Sequence, residues 1–343
     1  MKSVFDISYG ERGVTPLIIV VLALTIQLPS SAYGLDSTYV FWTDNGTQKI
    51  QRLNLDEPGA PIIDLLENAG DVYGIAVDPT AKQIYWTIKG PPGEVRRALW
   101  EGSREQSLIT SAGGGGTGPV ASFKGIALDL VNKKMYWSDS TNEKIERADF
   151  DGSNREDFVT QADNPDCVPV EDFVIDTPED MIYWTPPLDN GVCESRLSVP
   201  NPTLSFRTTM EPMGLTGDRS TGIRYLTDHF SAEGSRFITR FGDPPGIYKR
   251  KFIDGLKNPW GIELSEGMLY WADATDGEIR RANAADGTGQ DLVVVGLTTP
   301  RYLAIAKLST GVNAEIRFVP FSSKYLLMAL MAALGAWLIL RRR

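Results

Sequence analysis

The chain has 343 residues, of which 42% are hydrophobic and 10% aromatic, so it is long enough for one large domain or two smaller ones and apolar enough for a packed core. Its formal charge of −10 argues against a nucleic-acid partner, because phosphate binding relies on clustered Lys and Arg. A single histidine, His229, excludes a His-based zinc site and leaves a catalytic triad only one candidate base.

The first 34 residues read as an export signal. Residues 17–28 form a short apolar run, and Ala32, Tyr33 and Gly34 follow as a small-residue pattern of the kind that precedes a cleavage site. The sequence therefore predicts a signal peptide at residues 1–34, removed after about Gly34. A short uncleaved anchor is the alternative interpretation.

An aromatic dyad recurs along the rest of the chain. At the second position of the dyad the steps are 44, 51, 47, 42 and 45 residues, which indicates six units of one kind. The six copies are Phe41-Trp42-Thr43-Asp44, Tyr85-Trp86-Thr87, Tyr136-Trp137-Ser138-Asp139, Tyr183-Trp184-Thr185, Tyr225-Leu226-Thr227-Asp228 and Tyr270-Trp271-Ala272-Asp273.

The pattern within each unit predicts four short strands. An apolar run such as Gly74–Asp78 precedes the dyad, a strand with the pattern Ile-x-Arg such as Ile145–Arg147 follows it, and a turn such as Asp151-Gly152 leads to a fourth strand, for instance Asp291–Val295. Units of four strands and 40 to 50 residues are typical of propeller blades. We therefore expect an all-β, six-bladed β-propeller over residues 35–310.

The two ends of the repeat region complement each other. The first unit opens directly with the dyad strand at Tyr39 and lacks an inner strand, whereas the last apolar run, Tyr302–Ala306, has no dyad after it. We expect this C-terminal run to complete the N-terminal blade, because that closes the ring and removes its open edges.

The two cysteines fall in one unit. Cys167 precedes the inner strand near Phe173, and Cys193 begins the third strand of the same blade. First and third strands start on the same face, so we predict a disulfide between Cys167 and Cys193, as is usual in an exported protein.

After a spacer at residues 311–324, the tail at 325–343 has an apolar stretch, Tyr325–Leu340, and ends in the cluster Arg341 to Arg343. Sixteen helical residues span about 24 Å, so we expect a transmembrane helix whose arginines stay in the cytoplasm. The tail is similar to bacterial sorting tails, although Val319-Pro320-Phe321 is not their usual Pro-Glu-Pro signal. The expected location is the cell envelope, with the propeller outside the cytoplasm and either anchored or released after processing of the tail.

Charge is unevenly distributed along the chain. Residues 1–34 are neutral and residues 320–343 carry +4, so the 285 residues between them carry −14. An acidic exported domain is soluble and favours cationic or neutral partners.

The six copies resemble the class B (YWTD) repeats of the low-density lipoprotein receptor family, over about residues 39–307. The departures are Leu226 in place of Trp, and Ile88 and Pro186 where the motif has Asp. The resemblance implies a propeller that binds proteins through one face, in which the motif Asp links neighbouring blades. The two junctions without that Asp are then expected to be looser.

Loops that enter the inner strands and loops that follow the dyads emerge on one face, and loops on a rigid scaffold commonly supply function. Aromatic and charged residues around a concavity are typical of a protein or peptide contact; the alternative is a rim that only solvates the channel. The predicted channel-mouth ring consists of Tyr73, Lys124, Glu171, Met213, Trp260 and Arg301.

The fifth blade has an additional feature on the same face. Residues His229 to Ile247 read as an insertion with several Gly and Pro residues, which we interpret as a lid, a binding finger or a tolerated surface loop.

These observations favour a non-catalytic recognition propeller at the cell surface that needs no cofactor. The alternative is an enzyme similar to the six-bladed lactonases, in which a divalent cation such as Ca²⁺ sits in the channel. Its ligand set would be Glu171, Glu211 and Asn258, because hard cations prefer several converging oxygens. Lys124 and Arg301 would repel such a cation. A purely structural role in the envelope is a third hypothesis.

Overall fold

The computed structural model describes residues 36–111, 121–186, 191–207, 211–218, 221–228, 236–242 and 247–308. The predicted signal peptide, spacer and tail, as well as His229, lie outside the described residues. Within the described ranges, no helix has the length and apolarity needed to cross a membrane.

The described chain forms six antiparallel sheets of four strands each, which are the blades of a propeller. Blade 1 contains β1 (Ser37–Asp44), β2 (Lys49–Asn54), β3 (Ile63–Leu66) and a strand from the C-terminal end. Blade 2 contains β4 (Val72–Asp78), β5 (Gln83–Ile88), β6 (Glu94–Leu99) and β7 (Gln106–Thr110). Blade 3 contains β8 (Phe123–Asp129), β9 (Lys134–Asp139), β10 (Lys144–Asp149) and β11 (Glu156–Thr160).

The second half of the ring repeats this order. Blade 4 contains β12 (Phe173–Asp176), β13 (Met181–Trp184), β14 (Gly191–Arg196) and β15 (Thr203–Arg207). Blade 5 contains β16 (Pro212–Asp218), β17 (Ile223–Asp228), β18 (Arg236–Gly242) and β19 (Ile247–Leu256). Blade 6 contains β20 (Pro259–Ser265), β21 (Met268–Asp273), β22 (Glu278–Asn283) and β23 (Asp291–Val294), and β24 (Pro300–Leu308) returns to blade 1.

The ring closes as the sequence predicts. Strand β24 pairs antiparallel with β1, with Tyr39 opposite Ala306 and Phe41 opposite Ala304. The C-terminal segment is therefore the inner strand of the N-terminal blade. The all-β prediction is also confirmed, since the structure describes no α-helix in these ranges and the helical element with described bounds is the short 3-10 turn Pro165–Cys167.

The aromatic dyad fills both interfaces of its blade. Successive side chains of a strand point to opposite faces, so the two aromatic residues face opposite neighbours. Tyr85 packs with Phe123 of the following blade, whereas Trp86 packs in the cluster that contains Phe41 of the preceding one. The five dyad tryptophans are fully buried, and this explains why the dyad recurs once per blade.

In four of the six blades a glycine directly follows the predicted channel-mouth residue and lets neighbouring inner strands approach closely. A Cβ atom at Gly74 would lie 2.7 Å from the carbonyl oxygen of Lys124, and one at Gly214 would lie 2.5 Å from that of Trp260. Blades 1 and 4 depart from this pattern, because Tyr302 and Asp172 stand at the corresponding positions.

The prediction of an insertion in the fifth blade is wrong in part. Residues 236–242 form β18, the third strand, and residues 247–256 form β19, the fourth. The sequence contains the third-strand pattern, Ile238-Thr239-Arg240, but a longer connection separates it from the preceding strand β17. The segment therefore belongs to the blade itself, and the connecting residues 229–235 and 243–246 lie outside the described chain.

The predicted disulfide is present. Cys167 and Cys193 are bonded with their Cα atoms 5.8 Å apart, and both are fully buried. The indole of Trp184 donates a hydrogen bond of 2.7 Å to the carbonyl oxygen of Cys167. The bridge thus fixes the loop that enters blade 4 to its third strand.

Candidate functional site at the channel mouth

The threonine of the repeat motif fixes the backbone of the mouth. Its hydroxyl donates a hydrogen bond to the carbonyl oxygen of the mouth residue in the following blade. These bonds run from Thr43 to Tyr73 (2.7 Å), Thr87 to Lys124, Thr185 to Met213 (2.9 Å) and Thr227 to Trp260 (2.5 Å). Four mouth positions are therefore held by the neighbouring blade.

The motif aspartate has a different task in blades 1 and 6. Asp44 accepts hydrogen bonds from the backbone of its own turn and from the amides of Thr298 and Thr299, in the loop that arrives from blade 6. Asp273 accepts in the same way from the amides of Lys257 and Asn258. In blades 1 and 6 the aspartate thus secures the incoming loop, whereas Asp139 of blade 3 accepts hydrogen bonds from the amides of its own turn, Thr141 and Asn142.

Tyr73 lies at the centre of the mouth. Its hydroxyl donates a 2.6 Å hydrogen bond to a carboxylate oxygen of Glu171, and the ammonium group of Lys124 pairs with the other oxygen. Tyr73 and Glu171 are buried, with 2% and 3% of their surface exposed. Burial, together with the negative charge of Glu171, raises the pKa of Tyr73 well above its usual value.

Aromatic and cationic side chains pack beside Tyr73. The rings of Tyr73 and Trp260 meet edge to face with centroids 5.9 Å apart, and the ring of Tyr302 lies 5.1 Å from Tyr73. The guanidinium carbon of Arg301 lies 4.6 Å from the centroid of Trp260 and 5.2 Å from that of Tyr73. Arg301 is therefore held by two aromatic faces.

Five of the six predicted mouth residues thus meet in one cluster, which we call the mouth cluster: Tyr73, Lys124, Glu171, Trp260 and Arg301. Met213 is buried, and its described contact is the bond that its carbonyl accepts from Thr185. The ring is a packed group of side chains and not an open rim. Its role in ligand binding stays a prediction.

Two residues of this site were missed by sequence reasoning. The ammonium of Lys89 lies 5.6 Å from the ring centroid of Tyr73, and Tyr302 packs beneath it. Lys89 follows Ile88, which replaces the motif Asp, and Tyr302 occupies a position where four other blades have Gly. Such departures from the repeat are the sequence feature by which Lys89 and Tyr302 could have been identified.

Below the mouth cluster lies a chamber of about 1040 Å³ on the axis of the ring. It extends from Asp172 and Tyr302 to the turns after the inner strands, such as Leu130 and Glu266, and no mouth-cluster residue is among the described residues that line it. Desolvation raises the pKa of Asp172 to about 7, although its carboxylate accepts hydrogen bonds from the amides of Phe173 and Leu215.

The alternative cation site depends on Glu171, Glu211 and Asn258. The carboxylate of Glu171 is neutralised by Lys124 and accepts a hydrogen bond from Tyr73. Glu211 is exposed, and the side-chain oxygen of Asn258 is buried without a hydrogen bond among the described residues. In the part of the chain that the structure describes, no three His, Cys, Asp or Glu side chains form a group able to hold a metal ion. The calcium set stays a prediction.

Comparisons with known proteins agree with the repeat and the fold. The family described as low-density lipoprotein receptor repeat class B matches residues 133–182. Protein cueball of Drosophila grimshawi is 30% identical over 52% of this chain and 28% of its own length. A protein of Pyricularia oryzae named low-density lipoprotein receptor-related protein 1 is 29% identical over 54% of this chain and 61% of its own length. The chain thus spans less than two thirds of either relative.

Among solved structures, a nidogen/laminin complex matches with a TM-score of 0.65 at 23% identity, covering 79% of this chain and 99% of that one. A gluconolactonase of Xanthomonas campestris matches with a TM-score of 0.52 at 15% identity, covering 67% of this chain and 78% of that one. At these identities the likeness concerns the fold alone. The chain is a six-bladed β-propeller that contains the low-density lipoprotein receptor class B repeat.

Proposed function

We propose that this protein is a non-catalytic recognition propeller that binds a protein or peptide at the channel-mouth face. The observation that carries the proposal is the mouth cluster, in which the buried Tyr73 packs against the partly exposed Trp260 and Arg301. Tyr, Trp and Arg supply most of the binding energy in protein interfaces and concentrate near their centres.

Rigidity of the site supports the same proposal. The carbonyl groups of Tyr73 and Trp260 are held by threonines of the preceding blades, and Tyr73 is also held by Glu171. A preorganised surface loses little conformational entropy on binding, so more of the contact energy appears as affinity. The nidogen/laminin structure, itself a complex of two proteins, adds support from a protein of similar fold.

We place the propeller outside the cytoplasm. The predicted signal peptide and Arg-terminated tail favour export and anchoring in the envelope, with release after tail processing as the alternative. The buried disulfide Cys167–Cys193 supports this location, because disulfides persist in oxidising compartments.

The test is capture of a partner from an envelope extract by the immobilised full chain. Trp260→Ala should lower capture at least about tenfold, as expected for a central aromatic contact. The control is Val131→Ser in the turn between β8 and β9 on the opposite face, where Val131 is 72% exposed. Unchanged capture by Trp260→Ala and by Arg301→Ala, with both variants folded, would refute the mouth as the binding face.

A further inference from the structure

The mouth cluster carries an excess of positive charge. Three cationic groups surround the ring of Tyr73: the ammonium of Lys89 at 5.6 Å from its centroid, the ammonium of Lys124 at 6.0 Å and the guanidinium carbon of Arg301 at 5.2 Å. Glu171 is the carboxylate in contact with this group, and its ion pair is with Lys124. The local balance is therefore +2, on a domain whose 285 residues carry −14.

Neighbouring carboxylates do not neutralise this excess by direct pairing. Asp71, two residues before Tyr73, accepts a hydrogen bond from the side chain of Asn45, and Asp172 accepts two from backbone amides. Among the described residues, neither Lys89 nor Arg301 has a carboxylate oxygen within 4.0 Å. Both cations therefore remain without an ion pair in that part of the chain.

The position of Arg301 suits a carboxylate. Its guanidinium group is held by the faces of Trp260 and Tyr73, and its buried Nε has no hydrogen-bond acceptor among the described residues. Stacking occupies the faces of a guanidinium plane and leaves the donors along its edge, which form bidentate bonds with carboxylates. A guanidinium fixed in this way loses little rotamer entropy when it binds one.

We propose that the mouth cluster recognises an acidic side chain, Asp or Glu, of the protein partner, with Arg301 as the principal contact and Lys89 as the second cation. This inference rests on the proposed function. The partly exposed ring of Trp260 contacts the apolar part of the same peptide segment, and the buried ring of Tyr73 holds Trp260 and Arg301 in place. The surrounding domain is acidic and repels acidic segments everywhere except at the mouth. The charge distribution therefore selects which segment of the partner binds there.

Tryptophan fluorescence gives a direct test on the full chain. Trp260 is partly exposed, whereas the other described tryptophans are at most 3% exposed, so quenching by dissolved ions reports on Trp260. Trp337, which lies outside the described residues, is replaced by Phe in every sample. A positive mouth concentrates anions, so iodide should quench at least about twofold more strongly than caesium despite the acidic domain.

Ligand chemistry is tested with N-acetylglutamate and its neutral amide, N-acetylglutamine, as probes of the same fluorescence. N-acetylglutamate should bind at least about tenfold more tightly, since charge-assisted hydrogen bonds are roughly twice as strong as neutral ones. Arg301→Gln with Lys89→Gln should abolish the difference between the two probes. Lys307→Gln with Lys134→Gln is the matched control, because Lys307 pairs with Glu266 and Lys134 with Asp149 away from the mouth, and the loss of both changes the net charge equally.

The outcomes separate this inference from the proposed function. Loss of partner capture in Trp260→Ala, with full and salt-insensitive capture in the Arg301→Gln and Lys89→Gln variant, would leave the face in place and overturn the carboxylate. Equal binding of the two probes would also overturn it. Tighter binding of inorganic phosphate than of N-acetylglutamate would indicate a phosphorylated ligand and refute the acidic side chain.

Discussion

The forward hydrogen bond of the motif threonine should be a principal stabiliser of the ring, and Thr227 tests it best. Its hydroxyl, fully buried between blades 5 and 6, accepts a 2.8 Å bond from the amide of Gly214 and donates a 2.5 Å bond to the carbonyl of Trp260. Thr227→Val keeps the shape of the side chain and removes both bonds. The change also leaves a buried amide and a partly buried carbonyl without that partner.

The expected cost follows from these two groups. A buried hydrogen bond contributes about 1 kcal/mol net, and a buried group stripped of its partner costs roughly 1–3 kcal/mol, so Thr227→Val should lower the free energy of unfolding by about 2–4 kcal/mol. The repeat supplies its own control. Ser138 occupies the same motif position in blade 3 and is fully buried, but its hydroxyl has no hydrogen-bond partner among the described residues.

Urea unfolding of the purified chain, followed by near-ultraviolet circular dichroism, measures both variants. Ser138→Ala should change the free energy of unfolding by less than about 1 kcal/mol, because a hydroxyl without a partner contributes little or is unfavourable when buried. Equal losses in Thr227→Val and Ser138→Ala would refute the reasoning, since the effect would then come from burial or volume and not from the bond between blades.

Three further predictions concern the disulfide, the pH dependence and the contacts between blades. Replacing Cys167 and Cys193 by Ala should cost about 3–4 kcal/mol in urea unfolding, because their separation of 26 residues closes a long loop; a variant as stable as the parent would contradict this. The pKa of Asp172 is raised to about 7 from 3.8, so the folded state binds a proton that the unfolded state has lost, and the contribution of Asp172 to stability should fall as pH rises from about 4 to about 7. Asp172→Asn should flatten that part of the pH profile of urea midpoints, and an identical profile would exclude Asp172 as its source. Gly214→Ala should cost about 1–3 kcal/mol through its clash with the neighbouring backbone, whereas Gly90→Ala, where a Cβ atom meets nothing within 4 Å, should lower the thermal midpoint far less.

The sequence by itself determined the number of blades, the order of their strands and the closure of the ring. These features follow from patterns that each segment repeats locally: the dyad must fill both faces of its strand, and Tyr302–Ala306 lacks a dyad of its own. The disulfide was also predictable, because Cys167 and Cys193 lie in one blade with a fixed strand order. Sequence reasoning failed in blade 5, where a long connection concealed the third strand, β18.

Only the tertiary structure decided what the mouth is made of. Tyr73, Glu171 and Arg301 are separated by about a hundred residues or more, and they meet because ring closure brings three blades to one axis. The sequence placed each residue at the mouth, yet it did not show that Glu171 is neutralised by Lys124 or that Lys89 reaches Tyr73. Which charges are paired depends on side-chain packing across the axis, and no local pattern encodes that packing.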